Sequence, residues 1–346
     1  MKKMDNKMKK FSVIMSIYKS DVPEYLHIAL ESLLNQTRRP DEIVIVGDGP
    51  VPAELEKVVQ SFKSKVARSK SKVSKTAKDA SSIQESSTRR YEYFKLEVEG
   101  LSEAKKAITD GNESEKFQEG SEVLNSNGFD TKMPEITYLR QKKNRGLGAA
   151  LAVAVEAAQY PYLARMDSDD ICLPDRFEKQ MKCFEEDPEL SAVGGMITEF
   201  VDTPENIVTK RVLPLEDKDI KRFMESRCGV NHVTVIFKKE DLLKAGNYRS
   251  DYRQEDYYLW ARMMKVGCKF RNIPDVVVNV RSGYDQFARR SGWKYYLDHC
   301  AIFRYMYREG LISWGRLAYN YIVRFVVQFL MPNGLRTWVY QHVLRK

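Results

Sequence analysis

Two rhythms of apolar and polar residues run along this chain, and one repeatedly gives way to the other. Phe11–Ile17 is a near-continuous apolar run of strand length. In Pro23–Gln36, Leu26, Leu30, Leu33 and Leu34 fall on one helical face. Asp41–Val46 is a β-branched run that stops at Gly47-Asp48-Gly49-Pro50, a strong turn signal. Pro52–Phe62 reads as a second helix, and further on come Ile136–Arg140 (strand), Gly146–Ala158 (helix) and Tyr162–Met166 (strand). This alternation predicts βαβ units, hence an α/β fold with a mostly parallel sheet covered by helices on both faces. Such sheets bind ligands outside the carboxyl ends of their strands, which is where Asp48 and Asp167 fall.

Between these blocks the rhythm is lost. Lys63–Lys132 holds 12 Ser, 14 Lys/Arg and 12 Asp/Glu, with weak periodicity apart from Tyr91–Val98. It reads as a surface insertion interrupting the sheet, partly helical and partly disordered, or as an arm that docks a partner or membrane. The expected organisation is a catalytic unit over 1–283, interrupted at about 63–133, followed by a helical, basic region over 284–346.

The net charge of +9 would admit a nucleic-acid partner, but its location argues otherwise. From Phe303 to the end there are seven basic residues and one acid, set among aromatic and aliphatic side chains. That pattern suits peripheral contact with an anionic membrane, and no nucleic acid is expected. Ser313 to Met331 reads as a helix whose Arg316, Asn320, Arg324 and Gln328 form one narrow polar stripe. It could lie in the membrane interface with the stripe among the headgroups, or pack on the catalytic unit with the stripe outward. Spanning the bilayer would bury Arg324 at a cost of at least roughly 2.5–3.5 kcal/mol. The five cysteines show no CxxC spacing and read as reduced thiols of a cytoplasmic protein. The lysine-rich start followed by Phe11–Tyr18 has a short apolar stretch and no small-residue cleavage site, so a first strand is expected there rather than a signal peptide.

The densest chemistry is Ala164-Arg165-Met166-Asp167-Ser168-Asp169-Asp170. One Asp could cap the helix expected near Pro174, but three like charges after an apolar strand call for a neutralising partner. A divalent cation (Mn²⁺ or Mg²⁺) carrying a diphosphate is such a partner. Glu255-Asp256 open another helix, where acids also suit the helix dipole.

Taken in order, FSVIMSIY (11–18), ESLLNQTRRP (31–40), DEIVIVGDGP (41–50), NRGLG (144–148), ARMDSDD (164–170) and QEDYYLW (254–260) resemble the family 2 glycosyltransferases of the GT-A fold. Among these, the chain is similar to the branch serving capsule, exopolysaccharide and O-antigen assembly, over roughly 11–62 and 134–283. The resemblance implies an inverting, metal-dependent transferase using a nucleotide-sugar donor, UDP-linked by expectation, and a saccharide or lipid-linked saccharide acceptor. It implies direct metal ligation by Asp169, and ribose and water-mediated metal contacts by Asp167. Asp48 would pair with a uracil edge, unless it only closes a strand-end turn. Asn144 and Arg145 would lie near base and phosphates, or simply form a helix-entry loop. Asp256 would be the general base, supported by Glu255. Arg281 matches the start of a loop that folds over the phosphates, though a surface Arg at a strand end fits equally. His232 lacks the proline that often follows it in relatives, which leaves an acceptor-pocket role and a structural role both open. The long insertion departs from the family pattern. A sugar-phosphate nucleotidyltransferase should carry a glycine-rich loop after its first strand, and Tyr18–Pro23 has no glycine. A non-catalytic membrane- or nucleic-acid-binding protein would leave the acid cluster unexplained.

Overall fold

The computed structural model describes residues 9–76, 133–252, 254–283 and 292–330. Four strands, β1 (Phe11–Ile17), β2 (Glu42–Gly47), β3 (Glu135–Arg140) and β4 (Tyr162–Arg165), pair in parallel in the order β3-β2-β1-β4. Helices α1 (Pro23–Leu34), α2 (Ala53–Thr76) and α3 (Leu147–Ala157) make the crossovers. Both faces of β1 are covered: Val13, Met15 and Ile17 enter one core, and Ile14 enters another with Val44 and Val46. A strand buried on both sides has no polar face to alternate with, so the segment is continuously apolar in sequence. Its exception, Ser12, donates to the equally buried Glu42 (2.6 Å), whose carboxylate also accepts the Gln159 N–H (2.9 Å). Both bonds fall on one Glu42 oxygen.

Of the second half of the sheet, only the strand ending at Arg281 was legible in the sequence. β5 (Ile171–Cys172), β6 (Ala192–Phe200), β7 (Ile207–Arg211), β8 (Ile236–Lys238) and β9 (Phe270–Arg281) complete nine strands, in the order β3-β2-β1-β4-β8-β6-β9-β5 with β7 on the β6 edge. β8 runs antiparallel between β4 and β6, whereas the long β6–β9 ladder is parallel. The result is a mixed sheet whose longest ladders are parallel, flanked by α4 (Arg176–Glu186), α5 (Asp217–Met224), α6 (Lys239–Lys244) and α7 (Glu255–Lys265).

Two boundaries differ from expectation. Helix α2 continues well past Phe62, because Val59, Phe62 and Val66 recur on its buried face and Lys65 pairs with Glu31 at 2.7 Å. The start of the expected insertion is therefore helix, while residues 77–132, including Tyr91–Val98, lie outside the described residues.

The larger difference is at the C-terminal end. Helix α8 (Trp293–Arg308) packs on α7, with Tyr257 against Phe303 (6.0 Å) and Tyr258 against Tyr305 (5.3 Å), and α9 (Trp314–Phe325) packs on α8, with Tyr321 donating to the Cys300 carbonyl (3.1 Å). A wider turn, Val326–Leu330, continues α9, and Met331 lies outside the described residues. The polar stripe points inward rather than outward. Arg316 bonds Glu225 (2.8 Å), Asn320 donates to the Glu225 carbonyl (2.7 Å), Arg324 to that of Ser226 (3.3 Å), and Gln328 is buried. The end of α5 leaves carbonyls and an acid facing this helix, and polar side chains turn toward those partners. Among the described residues no helix is long and apolar enough to cross a membrane.

Candidate active site

The carboxyl ends of β1, β2 and β4 converge where the strand order reverses between β1 and β4, the usual ligand crevice of an open sheet. Three acids follow β4. Carboxylate oxygens of Asp167, Asp169 and Asp170 all lie within 4.8 Å of one another. Burial, with Asp167 and Asp21 nearby, pushes the Asp169 carboxyl up to about 6. Burial also raises Asp170 well above its ordinary range. Such acids are stabilised as anions only by positive charge brought to them. Asp170 accepts the Arg281 N–H (2.9 Å) through one oxygen, and its other oxygen is buried with no hydrogen-bond partner. An all-carboxylate set with an unsatisfied buried oxygen fits a hard divalent cation such as Mg²⁺ or Mn²⁺.

Sequence reasoning assigned no role to Arg165, yet it shapes the site. Its buried guanidinium grips Asp167 with both terminal nitrogens, one at 2.6 Å. Arg176, also buried, donates to the Arg165 carbonyl (2.8 Å) and to Gln180 (3.1 Å), fixing the end of β4. Asp21, past β1, was missed as well. It accepts from Ser168 (2.7 Å) and the Tyr18 N–H (2.9 Å), and burial raises its pKa. An Asp just beyond the carboxyl end of the first strand was the available signal.

Asp48, Asn144 and Arg145 lie together at the ends of β2 and β3. The Asp48 carboxylate accepts the backbone N–H groups of Arg145 (2.7 Å) and Gly146 (3.0 Å), so it holds the entry to α3. Gly49 is needed there: its φ is 85°, and a Cβ would stand 2.6 Å from the Asn144 nitrogen. Arg281 is half-buried. Its guanidinium lies 3.7 Å over the Tyr25 ring and donates to the carbonyls of Asp169 (3.3 Å) and Asp202 (3.1 Å), bracing the acid loop against the end of β9. The segment 284–291 that follows lies outside the described residues.

Glu255 and Asp256 open α7 beside this loop. Burial first, then Asp256, raise the Glu255 carboxyl to about 8; the Arg165 and Asp167 charges also reach it. Glu255 lines a cavity of about 240 Å³ together with Arg145, Gly148, Tyr252, Lys294 and Asp298. Asp256 accepts from the Tyr257 N–H (2.7 Å) and the Cys228 thiol (3.6 Å). His232 bonds the Tyr248 hydroxyl (2.8 Å) and meets Trp260 edge-on, and burial with the Arg165 charge holds its pKa well below the ordinary value.

The model of glycosyl transferase family 2 matches residues 12–78 and 116–244. An uncharacterized glycosyltransferase of Haemophilus influenzae is 32% identical over 97% of this chain and 100% of its own length. The amylovoran biosynthesis glycosyltransferase AmsE of Erwinia amylovora is 30% identical over 96% of this chain and 98% of its own. The UDP-Gal:alpha-D-GlcNAc-diphosphoundecaprenol beta-1,3-galactosyltransferase of Escherichia coli is 28% identical over 99% of both. Among solved structures, S. aureus TarS 1-349 in complex with UDP-GlcNAc superposes with a TM-score of 0.54 at 14% identity, over 92% of this chain and 72% of that one. The chain spans 43% of the length of a longer TarS structure. The sheet that places three acids after β4, the ordered motifs and the span of these likenesses agree: the chain belongs to glycosyl transferase family 2, with the GT-A fold.

Proposed function

We propose that this chain is a metal-dependent, inverting glycosyltransferase. It would move a sugar from a nucleotide-sugar donor, UDP-linked, to a lipid-linked or oligosaccharide acceptor in surface polysaccharide assembly. The observation that carries this reading is the triple carboxylate after β4, with one buried oxygen unsatisfied, set beside the Glu255-Asp256 pair. The names of the E. coli and E. amylovora relatives support the acceptor class.

Asp169 would hold Mn²⁺ or Mg²⁺ directly, with Asp167 contributing through the ribose and through water. When bound, the ion neutralises the charge that develops on the departing diphosphate. Arg165 keeps the Asp167 carboxylate aimed, and Arg281 keeps the loop's backbone in place. Asp48 orders the Asn144–Arg145 loop, and the Arg145 guanidinium would meet the diphosphate. The acceptor hydroxyl gives its proton to Asp256 as its oxygen bonds the anomeric carbon and the carbon–phosphate-oxygen bond breaks, releasing UDP. The high pKa of Glu255 suits a hydrogen-bond donor that orients the acceptor, which leaves Asp256 as the base.

Residues 1–283 would form the catalytic unit and 284–346 an appended layer at the inner face of the plasma membrane. Nucleotide release from a panel of UDP-, GDP- and dTDP-sugars, with metal and with a diphosphate-linked acceptor, tests the reading. UDP release that depends on both is expected, and no release from any donor overturns it.

A further inference from the structure

Helix α9 is arranged inside out for a surface helix. Its two arginines face the catalytic unit, as above, and its outer side carries Tyr319, Ile322 and Val326, flanked by Trp314 and Phe325. Trp314 is 69% exposed and Ile322 64%, and at the edge of this side the Arg316 guanidinium lies 5.7 Å over the Tyr319 ring. The patch continues onto α8. Phe329 meets Trp293 at 4.6 Å and Phe325 at 5.2 Å, and Tyr296 meets Phe325 at 6.1 Å. Trp293 and Leu297 are more than half exposed. Arg304 and Arg308, two and three turns on, lie on the same side of α8 and are exposed too. The nearby acids are engaged elsewhere: Glu309 pairs with Lys265 (3.1 Å), and Asp298 lines the cavity.

Exposed aromatic and aliphatic side chains edged by cations match the layered chemistry of a bilayer surface. Apolar groups enter the acyl boundary, aromatic rings sit at headgroup level, and guanidinium groups meet anionic phosphate. A second copy docked by two-fold symmetry would bring like charges together around Arg304 and Arg308. The position of the patch adds a functional reason. One step around α8 from Trp293 and Leu297, Lys294 and Asp298 line the cavity that holds Glu255, so a single helix is the wall between cavity and patch.

We propose that this face docks the protein on an anionic membrane surface, so that the cavity at Glu255 opens beside the headgroups where a lipid-linked acceptor presents its sugar. The acceptor part rests on the function proposed above; the docking part does not. The full-length chain should sediment with phosphatidylcholine vesicles containing phosphatidylglycerol, less so at high salt but still detectably. Joint replacement Trp293→Glu and Ile322→Glu should lower the bound fraction about tenfold or more, since burial of apolar groups is the unscreened part. Turnover on a water-soluble acceptor should stay within about twofold of the parent. Brominated phospholipid should quench tryptophan fluorescence of the unaltered protein, a readout that needs no variant. Unchanged sedimentation of the double variant without quenching would overturn the proposal. So would binding lost only on removal of residues 331–346, or a parent dimer that the double variant splits without any vesicle binding. A protein that docks yet releases no nucleotide from any donor would overturn the acceptor reading and leave the docking face standing.

Discussion

The acid loop after β4 and the C-terminal helix α9 both turn polar side chains toward the protein, and they do so for different reasons. In the loop, Asp167, Asp169 and Asp170 crowd together beyond what their neighbours neutralise, so charge of one sign is left over. In the helix, Arg316, Asn320 and Arg324 each find a partner at the end of α5. Surplus charge marks a place built for something that arrives; matched polarity marks a joint. A striped helix and a triple acid are equally conspicuous in sequence, and only the partners separate them.

The largest effect should come from the surplus. Asp169→Asn, or EDTA on the parent, should abolish transfer while the melting temperature holds or rises, because one of three repelling carboxylates is removed. Full activity of the variant under EDTA would make the surplus ornamental. Asp256→Asn comes next, with kcat lowered about 10²–10⁴-fold and donor affinity little changed by calorimetry. Normal turnover there, with loss in Glu255→Gln, would reverse the roles within the pair.

Glu255 also supplies a pH test. Its pKa is raised in the folded chain from 4.5 to about 8, so its contribution to stability is full at low pH. That contribution is lost as pH rises toward about 8, where the buried carboxyl must ionise. Glu255→Gln should therefore gain on the parent with rising pH, by at most about 5 kcal/mol in chemical denaturation. A parallel pair of pH profiles would refute the buried-acid account. The joint should be worth least. Asn320→Ala leaves the Glu225 carbonyl unpaired and should cost about 1–2 kcal/mol, whereas Arg316→Ala, partly exposed, should cost about 0–1 kcal/mol. Neither should change turnover on a soluble acceptor, and a large loss there would mean the joint is part of the site.

The first half of the fold was legible because β1, β2 and β4 are buried on both faces and its helices on one. Phe11–Ile17 and Leu26–Leu34 can be placed from hydrophobicity alone. Strands such as Ile171–Cys172 and Ile236–Lys238 are too short to show a period, and exist only because β9 and β4 hold them. Of the site, the residues on turns after strands could be named in advance, since the carboxyl end of a strand is a fixed address in an open sheet. Asp48 is one such residue, yet its hold on the Arg145–Gly146 backbone joins positions nearly a hundred residues apart, which no local pattern encodes.

What the chain determined by itself, then, was the α/β class, the family through its ordered motifs, and the acids of the candidate site. All of these depend on residue type and local spacing. Tertiary structure alone decided that Arg165 clamps Asp167, that Arg281 braces the acid loop, and that the stripe of α9 faces inward. Periodicity says that a helix has two faces. Which of them turns to the protein depends on the hydrogen-bonding groups the neighbouring element leaves unsatisfied, here the acid and carbonyls at the end of α5.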